Sequence, residues 1–310
     1  MAIDVVRPQA LRPGDTVRII SPSGPASRKK TKNGIALLES WGLRVDVPDR
    51  AYDSLAYLGG EDDVRVAQIN RALADPEVRG VICSRGGYGA SRIIDHVDTN
   101  AAAIDPKPVV GYSDVTALLN TLYVRSGLAG IHGPMLSSFA TDHAVDTSES
   151  LRKALMSPHP VVIAQRESEN TTALTTPSDR VTGRLLGGNL SLMVDAVGTA
   201  SCPDYSGAIV FFEEINEEPY RVDRILTQLL RSGTFDNVAG FAIGQFTECV
   251  DDDWSWDIID VLRDRLAGLN VPILGGLPFG HGDDPLTVPF GTEATLDTKA
   301  GTLTAQSAVR

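Results

Sequence analysis

Val109-Val110-Gly111-Tyr112-Ser113-Asp114-Val115 joins two contrasting segments of the chain. The residues before the serine, from Lys107 to Gly111, are mostly apolar and predict a short buried strand. After the serine, apolar residues recur at helical spacing until Gly127, a residue type that often ends helices. These apolar residues are Val115, Leu118, Leu119 and Leu122. The pattern predicts a sharp strand-to-helix corner at Ser113.

A serine at such a corner has its hydroxyl pushed clear of the backbone, and the helix N-terminus beneath it favours developing negative charge. This is the geometry of a nucleophile elbow, and it favours a serine hydrolase. The usual elbow pattern is G-x-S-x-G, whereas Val115 replaces the second glycine here. The alternative interpretation is that Ser113 only caps the N-terminus of a helix.

The composition is that of a soluble globular protein of 310 residues, with 42% hydrophobic and 22% charged residues. The formal net charge of −12 argues against nucleic acid as a partner. The three cysteines are far apart, so neither a disulfide framework nor a C-x-x-C metal site is predicted. The first residues do not show the basic segment followed by an apolar segment that is typical of a signal peptide. No apolar run approaches the roughly 18 residues of a membrane span. We therefore expect a cytoplasmic protein that uses no metal and does not bind membranes.

Short apolar runs alternate with helical patterns over residues 1–140. Alternation of this kind predicts parallel strands joined by right-handed crossovers, and hence an open α/β sheet. The loop after residues 78–83 and the corner at Ser113 both follow predicted strands. Because sites in such sheets form beyond the carboxyl ends of the strands, these two segments should lie on one rim.

Residues 141–180 are rich in Thr, Ser and Asp and are interpreted as a linker. Residues 181–310 are predicted to form a second, mixed α/β domain rich in β-strands. Its predicted strands are 208–212, 238–246 and 273–277, with helices at 220–231 and 256–267 and a terminal hairpin over 294–305.

A serine nucleophile needs a base, and five histidines are available. His96 falls in a predicted helix, while His143 and His159 fall in the predicted linker, so all three are interpreted as surface residues. His132 follows the helix of Ser113, and His281 lies in a glycine-rich loop directly after a strand. Both remain candidates on position alone.

The acid that orients the base is predicted at the end of the strand that contains Phe211 and Phe212. Glu213 ends the apolar run and is expected to be half-buried, where a carboxylate needs a partner. Glu214 is expected to face solvent. Glu217 and Glu218 precede a predicted helix and are interpreted as first-turn acids.

The sequence Arg85-Gly86-Gly87-Tyr88-Gly89 matches neither phosphate-binding glycine pattern. Its exposed N–H groups would instead supply half of an oxyanion hole, with the amide of Asp114 as the other half. Arg85 and Arg184 each lie beside a glycine and could bind a substrate carboxylate, or both could be solvated surface residues. The segment Leu186–Leu190 could approach a ligand, or could simply form a tight entry into a helix.

Taken together, these segments resemble the LD-carboxypeptidase family of serine peptidases, which includes muramoyl-tetrapeptide carboxypeptidases and microcin-immunity proteins. The resemblance covers nearly the whole chain in order. The matching segments are 13–15 with 21–23, 85–89, 111–114, 132–134, 187–190, Glu213 with 219–224, and 280–282.

The resemblance implies a catalytic triad of Ser113, Glu213 and His281 across two domains, the first with a flavodoxin-like nucleophile elbow. It implies no cofactor, and it favours a homodimer. We expect the amides of Gly87 and Asp114 to form the oxyanion hole. The predicted substrate-binding residues are Arg85, Gly188 and Asn189.

The function implied is release of C-terminal D-alanine from murein tetrapeptide in peptidoglycan recycling. The alternative is a microcin-immunity-like hydrolase of peptidyl- or aminoacyl-nucleotides. The predicted linker contains no aromatic-rich insertion that could stack on an adenine base, which favours the murein substrate. A non-catalytic binding protein is the alternative of another class, and the presence of all three triad residues argues against it.

Overall fold

A computed structural model describes residues 3–140, 145–177, 179–251, 253 and 255–310. The strands are β1 (Thr16–Ile20), β2 (Arg44–Asp46), β3 (Val78–Cys83), β4 (Val109–Gly111), β5 (Gly130–His132), β6 (Val161–Ala164), β7 (Arg180–Asn189), β8 (Ile209–Ile215), β9 (Gly240–Thr247), β10 (Ile273–Leu274), β11 (Val288–Phe290), β12 (Glu293–Asp297) and β13 (Thr302–Ala305). The α-helices are α1 (Arg28–Ser40), α2 (Asp62–Ala74), α3 (Thr99–Ile104), α4 (Thr116–Ser126), α5 (Val145–Met156), α6 (Leu190–Asp195), α7 (Pro219–Arg231) and α8 (Ile258–Ala267).

The chain divides into two units. The first unit comprises Met1–His159, Thr287–Gly291 and Ser307–Arg310. The second unit comprises Pro160–Leu286 and Thr292–Gln306.

The first unit contains a six-stranded sheet in the order β2-β1-β3-β4-β5-β11. All its neighbouring strands are parallel except β11, which runs antiparallel to β5. β1, β3 and β4 are rich in Val and Ile and largely buried, as parallel strands covered on both faces must be. The predicted open parallel sheet is therefore confirmed.

The second unit contains a mixed seven-stranded sheet in the order β10-β9-β8-β7-β12-β13-β6. The four strands from β7 to β10 are parallel, and β12, β13 and β6 follow as antiparallel neighbours. The predicted terminal hairpin is present as β12 and β13. This unit confirms the predicted mixed α/β fold rich in strands.

Residues 141–180 do not form the predicted linker where the structure describes them. α5 buries Leu151, Ala154 and Leu155 in the core of the first unit. β6 pairs with β13 at the edge of the second sheet. Although this stretch is polar on average, its few apolar residues recur at helical spacing. They form a narrow apolar stripe, which is sufficient to pack one face of a helix against a core.

Two segments from the end of the chain lie in the first unit rather than in the predicted domain 181–310. β11 pairs with β5 through the register Val288 with His132, and Ala308 and Val309 are buried in the core of the first unit. The division therefore differs from the predicted one because strand pairing and burial connect residues that are distant in sequence. No helix in the described part of the chain has both the length and the apolarity needed to cross a bilayer.

Candidate active site

Ser113 occupies the corner that its sequence context predicts. β4 ends at Gly111, and a short 3₁₀ turn over Ser113–Val115 leads directly into α4. The φ angle of Ser113 is 62°, in the left-handed region that non-glycine residues rarely adopt. A conformation of this kind costs on the order of 1–3 kcal/mol and is often found at functional sites. α4 ends, as predicted, at Gly127 with φ of 72°.

The valine that departs from the usual elbow pattern is accommodated by a glycine on the strand side. Val115 is fully buried, and a Cβ placed on Gly111 would lie 2.5 Å from Val115 Cγ1. Any side chain at residue 111 would collide with the valine. The close packing of strand and helix therefore requires Gly111 even though residue 115 is not glycine.

The glycine-rich loop after β3 contacts the elbow directly. A Cβ on Gly86 would lie 3.0 Å from both the Cβ and the Oγ of Ser113. Gly87 is exposed and has φ of +119°, which a side chain would strain. The loop therefore brings backbone close to the serine hydroxyl, at the place where we predict oxyanion-binding amides.

The predicted substrate-binding arginine, Arg85, is half-buried and supports its own loop. Its Nε donates to Gly86 O at 3.1 Å, and its Nη1 donates to Pro25 O at 3.4 Å. These bonds fix the direction of the guanidinium. A role in substrate binding remains a prediction.

The carboxylate of Asp114 points into the first unit and is 3% exposed. Its Oδ2 accepts a hydrogen bond of 2.8 Å from the N–H of Ala90. Burial raises the pKa of Asp114, although a hydrogen bond with the Ser23 side chain, hydrogen bonds from the N–H groups of Ala90 and Gly89, and the charge of Arg65 all act in the opposite direction. The sequence interpretation considered only the backbone amide of this residue and missed its side chain.

Arg65 in α2 is a second residue that the sequence interpretation missed. It is fully buried and donates to Pro22 O, to Gly89 O at 2.8 Å and to Asp62 Oδ1 at 2.6 Å. It thereby connects α2 to the loops that follow β1 and β3. An arginine within a helix ordinarily suggests a solvated side chain, so no local signal identified it.

In the second unit, Glu213 and His281 form a hydrogen-bonded pair. Glu213 lies in β8 and is 0% exposed, so it is more deeply buried than predicted. Its Oε2 lies 2.6 Å from Nδ1 of His281, whose side chain is 13% exposed. This contact favours the tautomer that has its proton on Nδ1, so Nε2 is the nitrogen able to accept a proton.

The electrostatic surroundings of His281 favour its protonated form. Burial lowers the pKa of the imidazole, but the charge and hydrogen bond of Glu213 and the charge of Glu214 outweigh that effect. The net direction is a raised pKa. The glutamate thus stabilises the imidazolium that a general base forms during catalysis.

Two glycines allow the His281 loop to lie against its neighbours. Gly280 has φ of +121°, and a Cβ there would lie 2.8 Å from both Cβ and Oε2 of Glu213. A Cβ on Gly282 would lie 2.6 Å from the side-chain amide of Gln245. The loop is therefore held between a carboxylate and an amide.

Gln245 in β9 is a further residue that the sequence interpretation missed. Its Oε1 accepts from the N–H of Gly282 at 3.0 Å, and its Nε2 donates to Asp283 O at 3.1 Å and Glu169 Oε1 at 2.8 Å. The side chain is buried. The sequence did contain a signal for this residue, because Gln245 is a single glutamine within the apolar run Phe241–Phe246. A glutamine buried in such a strand needs hydrogen-bond partners for its side-chain amide.

Glu214 is buried, so the expectation that it faces solvent was wrong. Its carboxylate accepts from Asn189 Nδ2 at 2.9 Å and from the N–H and hydroxyl of Ser191 at 2.8 and 2.7 Å. Burial raises its pKa, and the Ser191 hydrogen bond opposes the shift while the charge of Glu213 reinforces it. Glu214 therefore fixes the start of α6.

The predicted ligand-binding residues Gly188 and Asn189 end β7. Gly188 has φ of +140°, and Asn189 is paired in register with Glu213 on the neighbouring strand. The strand thus continues through Asn189 before α6 begins. Their positions beside Glu213 are observed, whereas binding of substrate remains a prediction.

The other histidines have different surroundings. His132 is buried in β5, and its ring makes an edge contact with Tyr112 at a centroid distance of 5.9 Å. His96 and His159 are exposed, as predicted, and His143 lies outside the described residues. His281 is a candidate for a base because its Nδ1 lies against a buried carboxylate that can orient the ring.

No cluster of three or more His, Cys, Asp or Glu side chains within the described ranges could hold a metal ion. Cys83 is fully buried, as predicted, and burial raises the pKa of its thiol. The structure also contains a serine in a left-handed conformation with an adjoining glycine loop, and a carboxylate–imidazole pair. These are the components of a serine hydrolase.

Two protein-family models match the chain. Residues 17–133 match the LD-carboxypeptidase N-terminal domain, and residues 182–296 match the LD-carboxypeptidase C-terminal domain. The chain therefore belongs to the LD-carboxypeptidase family.

Two relatives align over almost their full lengths. A putative carboxypeptidase of Streptomyces coelicolor is 39% identical over 97% of this chain and 96% of its own. A probable murein peptide carboxypeptidase of Bacillus subtilis is 35% identical, covering 98% and 95% of the two chains.

Solved structures with the same fold include a muramoyltetrapeptide carboxypeptidase from Oxalobacter formigenes. It has a TM-score of 0.83 and 32% identity, with coverage of 95% of this chain and 100% of that one. The microcin C7 self-immunity protein MccF in complex with aspartyl sulfamoyl adenosine has a TM-score of 0.87 and 25% identity, with coverage of 98% and 100%.

Proposed function

We propose that this protein is a serine carboxypeptidase that hydrolyses the L,D-peptide bond of murein tetrapeptide and releases the C-terminal D-alanine. The observation that carries the proposal is the buried pair of Glu213 and His281, 2.6 Å apart. A buried carboxylate that orients an imidazole has a direct use when a serine must be deprotonated. The strained elbow at Ser113 supplies such a serine.

In the proposed mechanism, Nε2 of His281 accepts the proton of Ser113 as Oγ attacks the scissile carbonyl carbon. Glu213 stabilises the imidazolium, and the amides of Gly87 and Asp114 donate to the oxyanion. Collapse of the tetrahedral intermediate breaks the C–N bond, and the imidazolium protonates the departing amine of D-alanine. Water, deprotonated by His281, then hydrolyses the acyl-enzyme and restores Ser113.

The murein substrate is supported by the degree of similarity to the named relatives. Identity to the Bacillus subtilis and Oxalobacter formigenes proteins is 35% and 32%, against 25% to MccF. The second candidate, hydrolysis of a peptidyl- or aminoacyl-nucleotide, is supported by the fold of MccF, whose TM-score of 0.87 exceeds the 0.83 of the Oxalobacter formigenes structure. We further propose, on the family resemblance, that the protein is a cytoplasmic homodimer.

The test is incubation with murein tetrapeptide and, separately, with a peptidyl-adenylate, followed by mass spectrometry. We expect release of D-alanine from the tetrapeptide. Ser113→Ala and His281→Ala should each lower kcat by about 10⁴–10⁶-fold. Ser148→Ala and His96→Ala change the same residue types on the surface of the first unit and should leave kcat unchanged.

Each other result has a definite meaning. Near-normal turnover by the Ser113 or His281 variant would remove that residue from the triad. Release of nucleotide without release of D-alanine would establish the MccF-like activity instead. Two unchanged substrates would favour the non-catalytic binding protein.

A further inference from the structure

The side chain of Asp114 connects the nucleophile elbow to the far end of the glycine-rich loop. Asp114 directly follows Ser113, and its Oδ2 accepts from the N–H of Ala90 at 2.8 Å. The near end of that loop, Gly86, approaches Ser113 and accepts from the N–H of Gly24 at 3.1 Å. The loop from Gly86 to Ala90 is thus attached at both ends, and one attachment belongs to the residue after the nucleophile.

The middle of this loop depends on those attachments for its shape. Gly87 and Gly89 have φ of +119° and +124°, a region that glycine enters and leaves easily. Arg65 also donates to the carbonyl of Gly89 at 2.8 Å. Without these contacts, the direction of the Gly87 N–H would not be fixed.

We propose that the Asp114 carboxylate is a positioning residue, which holds the Gly86–Ala90 loop so that the Gly87 amide points to the oxyanion. The inference rests on the proposed function, because it assigns a task to that loop. Asp114 would then have two roles. Its backbone N–H would donate a hydrogen bond to the oxyanion, and its side chain would hold the loop that supplies the second donor.

The chemistry of the site explains why a carboxylate is needed. A buried carboxylate accepts hydrogen bonds only, which suits a site where backbone N–H groups converge. Asparagine would present its own N–H₂ group to one of those donors and would leave it unsatisfied. The neutral amide would also lose the attraction between Asp114 and the buried guanidinium of Arg65.

A purely structural cap makes a different prediction. Asp98 caps α3 by accepting from the N–H groups of Asn100 and Ala101, both at 3.1 Å, and it is exposed on the same unit. Asp98→Asn is therefore a matched control, since it changes a carboxylate that binds backbone amides away from the elbow. Asp98→Asn should leave kcat unchanged and, because asparagine caps helices about as well as aspartate, should alter stability little.

The test compares Asp114→Asn with Asp98→Asn in the full chain. We expect Asp114→Asn to lower kcat on the order of 10²-fold, the usual effect of losing or displacing one oxyanion donor, with KM nearly unchanged. Hydrogen exchange should accelerate in peptides that cover residues 84–92, and the rest of the sheet should stay protected. Arg65→Lys keeps the charge but cannot reach all three acceptors, and it should give a smaller loss of the same type.

Labelling of Ser113 by a fluorophosphonate separates this inference from the proposed function. Slower labelling in Asp114→Asn than in the parent protein supports the positioning role even if neither murein tetrapeptide nor nucleotide is hydrolysed. Unchanged kcat and labelling would overturn it. A loss explained by KM, or by exchange that accelerates throughout the unit, would overturn it in favour of a structural role.

Discussion

Replacing Gly280 with alanine should disconnect the imidazole from its carboxylate without removing either. Gly280 precedes His281, and its backbone lies against Glu213. An alanine Cβ would approach both Cβ and Oε2 of Glu213 to 2.8 Å, whereas ordinary contact begins at 3.4 Å. One of the two groups must therefore move by about 0.6 Å.

The expected cost has two parts. Holding a non-glycine residue at φ of +121° costs about 1–3 kcal/mol of folding free energy. Displacing the carboxylate or the loop disturbs the 2.6 Å contact with Nδ1 of His281. Misplacement of a catalytic group by up to 1 Å lowers turnover by about 10²-fold, equivalent to about 2.7 kcal/mol of transition-state stabilisation.

Gly207 provides the matched control. It lies in the same unit with φ of +71°, and a Cβ there would have no atom within 4 Å. Gly207→Ala should therefore incur backbone strain alone and lower stability while kcat stays at the level of the parent protein. Urea unfolding gives the stability of each variant, and D-alanine release from murein tetrapeptide gives kcat for the folded fraction.

The expectation fails if Gly280→Ala keeps the parent kcat while losing no more stability than Gly207→Ala. That result would mean that the Glu213–His281 contact tolerates the added methyl group. Equal losses of kcat in both variants would refute it as well, because strain remote from the pair would then explain the effect.

Two further predictions concern the same pair and its support. Glu213→Gln removes the charge that raises the pKa of His281 while burial continues to lower it, so the acid limb of kcat/KM should move to lower pH and the plateau should fall by about 10⁴-fold. In the parent protein, the ion pair stabilises the folded state fully below the unfolded-state pKa of histidine, and this stabilisation is lost as pH rises through the folded-state pKa. It should be absent in Glu213→Gln. An acid limb displaced to higher pH would contradict the assignment. Gln245→Leu removes the acceptor of the Gly282 N–H and should destabilise the protein by about 1–3 kcal/mol in urea unfolding. It should also lower kcat about tenfold by loosening the His281 loop, and a variant with unchanged kcat would show that Glu213 and Gly280 suffice to hold the imidazole.

The local pattern around Ser113 could be predicted because it depends on residues that are adjacent in sequence. A buried strand, a corner and a helix follow each other within residues 107–127, and the structure has all three in that order. Glu213 could be chosen over its neighbours because it ends an apolar run, where a carboxylate is costly without a partner. The choice of His281 over His132 required the resemblance, since both follow predicted strands or helices closely.

The buried polar residues that support these groups could not be predicted in the same way. Arg65 and the side chain of Asp114 have hydrogen-bond partners on loops that follow other strands of the sheet. Gln245 binds backbone nearly forty residues further along the chain. Their sequence neighbours indicate a helix, an elbow and a strand, but give no information about which distant groups meet them.

Local sequence signals indicated a serine hydrolase, because the corner at Ser113 and the glutamate that ends an apolar run each depend on neighbouring residues, whereas the choice of His281 came from the family resemblance. The division of the chain into two units and the residues that support the catalytic groups follow from contacts that exist only in the folded protein. β11 joins the first sheet, residues 145–156 form a helix on its core, and Gln245 and Arg65 are buried with partners. The physical reason is that burial and strand pairing depend on segments that folding brings together. The spacing of apolar residues and the residue types of a turn, in contrast, can be read within a single segment.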